Sequence, residues 1–436
     1  MHPTEMHKSV SVQVDSDFAL LLPSGVYEIK KMEPRSKLRK VILFCLLLSL
    51  FGMVAFGYFC PDQVCAVTPR ERVSEPVALT YAEAPGRPLP DSMAQRGLSY
   101  DEVLHDDFRF DLNAHDVMVF LHIQKTGGTS FGKHLVMDLD LKRPCNCQRA
   151  RKRCHCFRPH SNEIWLFSRY STGWKCGLHA DFTELTACVG SELDRHEGSA
   201  VHRRYFYITL LREPVSRYLS EYRHVKRGAT WKGSRHWCQG RTATAAEVPA
   251  CYTGETWRAV TLEEFAACPW NLANNRQTRM LADLALVGCY NGTLRHRSPD
   301  SDSVLLASAK RNLAAMAYFG LTEYQKISQY VFEETFNLRF AVPFTQHNAT
   351  VSGATLAALS PAQVAHIKRL NSLDLELYDF AKNLMFKRFE ALKKRDADFE
   401  YRWRHLGEVA LRSGVTEFDW DSNLEDATTE KNRGRR

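Results

Sequence analysis

The densest anion-binding chemistry in the sequence is Val119-Phe-Leu-His122-Ile-Gln-Lys125-Thr126-Gly127-Gly128-Thr129-Ser130. An apolar strand runs into a glycine pair, then hydroxyl residues, then a helical pattern. Glycines let main-chain N–H groups approach an anion, and the following helix N-terminus adds partial positive charge. Lys125 supplies a full charge, and Thr129 and Ser130 supply donors. A plain strand–helix turn with a Gly-Gly hinge is the bland alternative. Against it, Lys, Gly-Gly and Thr-Ser coincide at a strand's carboxyl end, where open α/β sheets bind ligands. The order is not that of a G-x-x-x-x-G-K-[ST] phosphate loop, because here the lysine precedes the glycines.

A second apolar strand ends in Leu210-Leu211-Arg212, where a phosphoryl-transfer enzyme would place a metal-binding carboxylate. Arg212 and Ser220 lie eight positions apart, about 2.2 helical turns, so both can face one phosphate. Two anion sites on two strand ends, with no metal motif, suit a nucleotide carrying phosphates at both its 5′ and 3′ positions.

The elements that must position these residues read as strand–turn–helix repeats. Residues 117–123, 205–211 and 317–321 are buried-strand patterns. Helical stretches are expected over 130–139, from Glu213-Pro214 to about 225, and from a capping box of Thr322 with Gln325 to about 336. An amphipathic helix fits 361–389. This repetition predicts an α/β fold with a central parallel sheet flanked by helices. Among 436 residues, 44% are hydrophobic and 25% charged, which excludes a disordered, collagen-like or coiled-coil chain.

Residues 41–59 form an uncharged apolar run of 19, roughly 28 Å as a helix and about one hydrocarbon core. Lys30, Lys31, Arg35, Lys37, Arg39 and Lys40 precede it. The positive-inside rule then keeps 1–40 in the cytosol and translocates everything after the run. Proline-rich residues 60–105 read as a stem, 106–395 as the catalytic domain, and 396–436 as a charged, disordered tail. Ten of the 13 cysteines fall between Cys145 and Cys289, which suggests a disulfide framework in an oxidising compartment without fixing any pairing. Zinc is the weaker reading of Cys145-x-Cys147 and Cys154-x-Cys156, whose spacing is too short. The sequons at Asn291 and Asn348 fit the same compartment.

Lys and Arg total 58 against 50 for Asp and Glu, a modest excess, so clustering matters more than the sum. Residues 142–160 and 222–246 each carry a run of Lys and Arg with no acid, the second interleaved with His224, Trp231 and Trp237. Such stretches attract a polyanion in a salt-dependent way. Nucleic acid is the alternative partner, one that a luminal domain rarely meets.

The blocks HIQKTGGTSFG, TLLREPVSRYLSEYRHVKRGATWK and WLFSRYSTGWKCGLHADFTELTAC resemble the heparan sulfate 6-O-sulfotransferases. So do NLANNRQTRMLADLALVGCYN and MAYFGLTEYQKISQYVFEETFNL; the likeness covers most of 117–390 and excludes the stem and tail. The resemblance implies a P-loop-like sulfotransferase fold in a single-pass type II Golgi membrane enzyme. Its donor would be 3′-phosphoadenosine 5′-phosphosulfate (PAPS), its acceptor the 6-hydroxyl of glucosamine in heparan sulfate, with no metal and no nucleic acid. By motif, Lys125, Thr126, Gly127, Gly128, Thr129 and Ser130 would hold the 5′-phosphosulfate, and Arg212 and Ser220 the 3′-phosphate. The general base would be His179, with Lys125 stabilising the leaving oxygen. On the residues alone His122, at the strand end, is an equal candidate. Lys152, Arg153, Trp174, His224 and Trp231 would contact the acceptor.

Rival readings are a luminal glycosyltransferase, for which Asp138-Leu-Asp140 would be the metal motif, a luminal sugar kinase, and a non-catalytic heparin-binding protein.

Overall fold

A computed structural model describes residues 108–148, 151, 153–230, 232–291, 300–345 and 351–408. The apolar run 41–59, the stem, Lys152, Trp231 and Asn348 therefore lie outside the described residues. Among those described, no helix is long and apolar enough to cross a membrane.

The described residues contain a four-stranded parallel sheet. Its strands, numbered with two short hairpins in chain order, are β1 (Asp116–Leu121), β4 (Leu166–Phe167), β5 (Arg204–Leu211) and β8 (Tyr318–Leu321). They lie side by side in the order β4-β1-β5-β8. Asp116 pairs with Arg204 in register and also through an ion pair of 2.6 Å, which pins the start of the two longest strands. Period-two alternation separates two cores. Val117, Val119, Leu121, Tyr205 and Tyr207 pack on one face. That face is covered by α2 (Phe182–Glu197), α6 (Ser301–Ala315) and α10 (Ser372–Arg395). Met118, Phe120, Phe206, Ile208 and Leu210 pack on the other. There they meet α1 (Gly128–Met137) and α7 (Gln325–Phe336). Burial on both faces is what a parallel sheet requires.

Outside the sheet, α3 (Pro214–Lys226) follows β5 with Pro214 in its first turn and the Glu213 side chain capping Val215 and Ser216 amides. The hairpins are β2 (Asn146–Cys147) with β3 (Cys154–His155) and β6 (Trp237–Cys238) with β7 (Arg241–Thr242). Helices α4 (Leu262–Ala267), α5 (Arg276–Leu281), α8 (Val351–Ala357), α9 (Pro361–Leu370) and α11 (Phe399–Arg404), with a short 3-10 helix at Leu284–Val287, complete the described elements.

Two expectations need correction. The residue capping α7 is Tyr324, not Thr322, whose hydroxyl is drawn instead to the carbonyls of Thr126 and Leu211 at 2.7 and 2.9 Å. The helix expected over 361–389 is two helices broken at Asn371, whose side-chain amide bonds back to the Ile367 carbonyl at 2.9 Å. Beyond 395 the chain still packs: Phe399 is buried against Phe389, Tyr330 and Trp403.

The ten cysteines from Cys145 to Cys289 form five disulfides. These are Cys145–Cys156, Cys147–Cys154, Cys176–Cys188, Cys238–Cys289 and Cys251–Cys268. Cys45, Cys60 and Cys65 lie outside the described residues.

Candidate active site

The turn after β1 is built from main chain. Lys125 and Gly127 hold left-handed conformations at φ 67° and 83°, which a residue bearing a Cβ tolerates poorly. Gly127 opens α1 without a side-chain cap and with no acid in the first turn, so the N-terminal amides meet no competing carboxylate. A Cβ at Gly128 would come within 2.5 Å of the His122 ring, so this position requires glycine. The Thr126 hydroxyl donates to the Ile123 carbonyl at 3.0 Å and turns inward. Of the six residues from Lys125 to Ser130, Thr126 therefore serves the turn through its side chain. Lys125 and Thr129 are half-buried, and Ser130 is exposed.

Arg212 stands at the end of the neighbouring strand β5 and is buried. Its guanidinium donates to the Lys125 carbonyl at 3.3 Å, joining the second candidate anion site to the first. Gln277 of α5 clamps its main chain from both sides: Oε1 accepts from Arg212 N at 2.8 Å and Nε2 donates to Arg212 O at 2.9 Å. Burial lowers the pKa of Arg212, opposed by Glu323. Ser220, half-buried, lies on α3. That helix is anchored by Glu221, which accepts from Arg217 at 2.5 Å and from Arg276 Nε at 2.8 Å, with a second bond to Arg276 Nη2. Burial opposes ionisation of Glu221, but Arg276 and Arg217 outweigh it and hold the carboxylate down to about 2. Breaking such a buried pair costs about 3–5 kcal/mol.

Beside the turn lies a pair of histidines. His179 Nδ1 is 3.1 Å from the His122 carbonyl. A carbonyl only accepts, so Nδ1 carries the proton and Nε2 is left as the basic nitrogen. Burial, with Arg169 and Arg276 adding to it and the His122 carbonyl opposing, lowers the pKa of His179 to about 3. His122 is likewise held well below its usual value by burial and by His179, Arg169 and Lys125. Both rings are therefore neutral at neutral pH. They meet edge to face at 5.0 Å, and Trp174 packs on both, 4.6 Å from His179 and 5.8 Å from His122. His179 itself sits at φ 54°, a strained value for a histidine.

The acceptor candidates divide. Trp174 touches the histidines directly, and Arg169, a residue the sequence reading missed, lies over its ring at 5.3 Å. Arg153 donates to the Thr172 carbonyl at 3.3 Å and packs on Gly173, one residue from Trp174. His224 of α3 is half-buried, its pKa lowered to about 4 by burial, Lys125 and Arg227, which places it on the lysine's side of the site. Within the basic stretches some charges are structural. Arg158 is buried with Glu163 at 3.1 Å, Arg143 braces the carbonyls of Arg158 and Ser161, and Arg241 is held by both Glu247 oxygens. Gln277, Arg276 and Glu221 also escaped the sequence reading, and Thr322 entered it only as a helix cap, because the contacts that matter are made across the fold. Asn291 is half-buried.

Asp138 bonds His134 at 2.6 Å at the end of α1, so the first carboxylate of Asp138-Leu-Asp140 is occupied in closing a helix. Among the described residues, no group of three or more His, Cys, Asp or Glu is disposed to hold a metal.

The sequence model described as "Sulfotransferase family" matches residues 108–381. A heparan-sulfate 6-O-sulfotransferase 2 of chicken (Gallus gallus) is 47% identical over 389 residues, covering 88% of this chain and 94% of that protein. Heparan-sulfate 6-O-sulfotransferase 1 of Cricetulus griseus is 54% identical over 306 residues, 70% of this chain and 76% of the relative. With the human heparan-sulfate 6-O-sulfotransferase 2 the identity is 48% over 83% of this chain, which spans 59% of that longer protein.

Proposed function

The chain belongs to the sulfotransferase family, among its heparan-sulfate 6-O-sulfotransferases, and on that premise we propose that it transfers a sulfuryl group from PAPS to the 6-hydroxyl of glucosamine in heparan sulfate. The observation that carries the site assignment is the contact chain His179–His122–Gly128. The histidine with a basic Nε2 bonds the very residue whose ring rests on the anion turn.

PAPS is the donor substrate. The α1 amides with Lys125, Thr129 and Ser130 receive its 5′-phosphosulfate, and Arg212 with Ser220 its 3′-phosphate. Thr126, Gly127 and Gly128 shape the turn. His179 Nε2 takes the 6-hydroxyl proton as O6 attacks sulfur in line. The new O6–S bond forms as the bond between sulfur and the bridging oxygen of the 5′-phosphate breaks. Lys125 stabilises the charge that collects on that oxygen. The anionic donor and polysaccharide raise the basicity of His179 above its value in the unliganded protein. Trp174, Arg153 and His224, with Lys152 and Trp231, bind the acceptor; no metal enters the step.

We assign residues 41–59 to a signal-anchor after a cytosolic tail 1–40, with 60–105 as stem, 106–395 as the luminal catalytic domain and 396–436 as a tail whose first turn, at Phe399, packs back on that domain. Five disulfides and the sequons at Asn291 and Asn348 support a Golgi lumen.

The test is to incubate the protein with PAPS and an N-sulfated heparan precursor in EDTA, then analyse product disaccharides. New 6-O-sulfate is expected. Sulfate at another position would break the positional assignment, and no transfer by a folded, heparin-binding protein would overturn the enzymatic one.

A further inference from the structure

Glu184 lies in the first turn of α2, 3% exposed, and its two carboxyl oxygens bind two different loops. Oε2 accepts from the main-chain N–H of Asp181 at 2.8 Å, two residues beyond His179. Oε1 accepts from the main-chain N–H of Trp237 at 2.7 Å, at the head of hairpin β6–β7. Asp181 accepts in turn from the Glu184 amide at 3.0 Å and from the Tyr290 hydroxyl at 2.5 Å. Tyr290 stacks on His236 at 4.6 Å, and the Cys238–Cys289 disulfide fastens the neighbours of both. The Arg235 carbonyl also lies against Gly177, in the loop that carries His179.

A capping box accounts for the Asp181 bonds alone. It does not account for the second oxygen reaching a hairpin 53 positions away. That hairpin stands in the acid-free basic stretch 222–246, with Arg235 and Trp237 exposed, Trp237 to 45%. At the other end of the linkage His179 holds a left-handed backbone that its surroundings must impose.

We propose that Glu184 is a positioning residue that couples polyanion binding on the 235–237 segment to the setting of His179. It rests on the reading of His179 as general base. Docking of a sulfated chain on the hairpin is transmitted from Trp237 N through the Glu184 carboxyl to Asp181 N, and so to the base.

Glu184→Gln keeps the shape but leaves one accepting oxygen, so one of the two main-chain bonds is lost. In the full-length protein it should lower kcat about tenfold, with donor Kd and acceptor KM little changed. Tyr290→Phe keeps the ring on His236 and removes only the hydroxyl; it should lower kcat about threefold and serves if Glu184→Gln does not fold. Combining either with Arg235→Ala should give an effect on kcat/KM that differs from the product of the single effects. In parallel, a heparin oligosaccharide should shift the His179 ring resonances of the wild type and leave them unmoved in the variant. Unchanged kcat per folded molecule in both variants, effects that simply multiply, or an identical resonance shift in variant and wild type would each overturn the coupling. An inactive wild type would overturn the transferase reading alone, and the resonance shift would still decide this one.

Discussion

The two halves of the proposed site are built by different means. The donor half comes from strand ends and the helices that follow them: β1 with α1, β5 with α3, and Thr322 after β8. No disulfide-bonded cysteine lies within these elements. Ladder hydrogen bonds and two apolar faces already fix them. Apart from His224 on α3, the acceptor half comes from loops and short hairpins between sheet elements, and all five disulfides lie there or bind those loops to α2 and to the end of α4. Backbone without a ladder needs another constraint, and cross-links closing loops of this size contribute about 2–4 kcal/mol each. The proposed base, His179, belongs to the second half by its loop and to the first by its bond to His122.

That division predicts effects that separate cleanly. Largest, His179→Ala should cut turnover about 10²–10⁴-fold while leaving donor affinity nearly intact, checked by pairing transfer rates with donor titration. A large loss of donor affinity would put His179 in the donor half instead. Next, Arg212→Ala removes charge-assisted bonds and should weaken donor binding about 10–100-fold, read by calorimetry with the desulfated nucleotide. Unchanged affinity would remove it from the 3′-phosphate site. Smaller, neutralising Lys152 and Arg153 together should raise acceptor KM about threefold to tenfold and flatten its dependence on salt. If neither changes, that loop is not the polysaccharide site.

The smallest effect is on pH. Burial holds His179 at about 3 in the unliganded protein, so the base is already deprotonated throughout the ordinary range. The step at about 6.5 that an unperturbed histidine would give should be missing from kcat/KM, which reports the free enzyme. Because bound anions raise the pKa, the acid limb of kcat should lie at higher pH than that of kcat/KM.

Much of the donor half was legible in the sequence because its chemistry is local. Continuous apolar runs over 117–123 and 205–211 announce the strands, and Lys125, the glycine pair and the hydroxyls stand within six residues. The acceptor half was not legible in this way. His179 acquires its tautomer from His122, 57 positions away, and a lone histidine in a loop carries no such signal. Arg158 counts as one more surface charge in 142–160 until its guanidinium is seen buried beside the half-exposed Glu163. The break at Asn371 is hidden because apolar periodicity continues through it while the side chain caps the preceding helix. Cysteine count suggested a disulfide framework, but only the fold chooses the partners.

The separation of the two halves is tested most directly by opening the Cys176–Cys188 cross-link, which anchors the base loop three residues before His179. Donor affinity and turnover would be measured on the Cys176→Ser/Cys188→Ser protein. Turnover should fall about tenfold or more as the base loses its setting, while donor affinity stays within about twofold of the wild type. Donor affinity falling in step with turnover would contradict the account, because donor binding would then depend on the same stapled loops as the base.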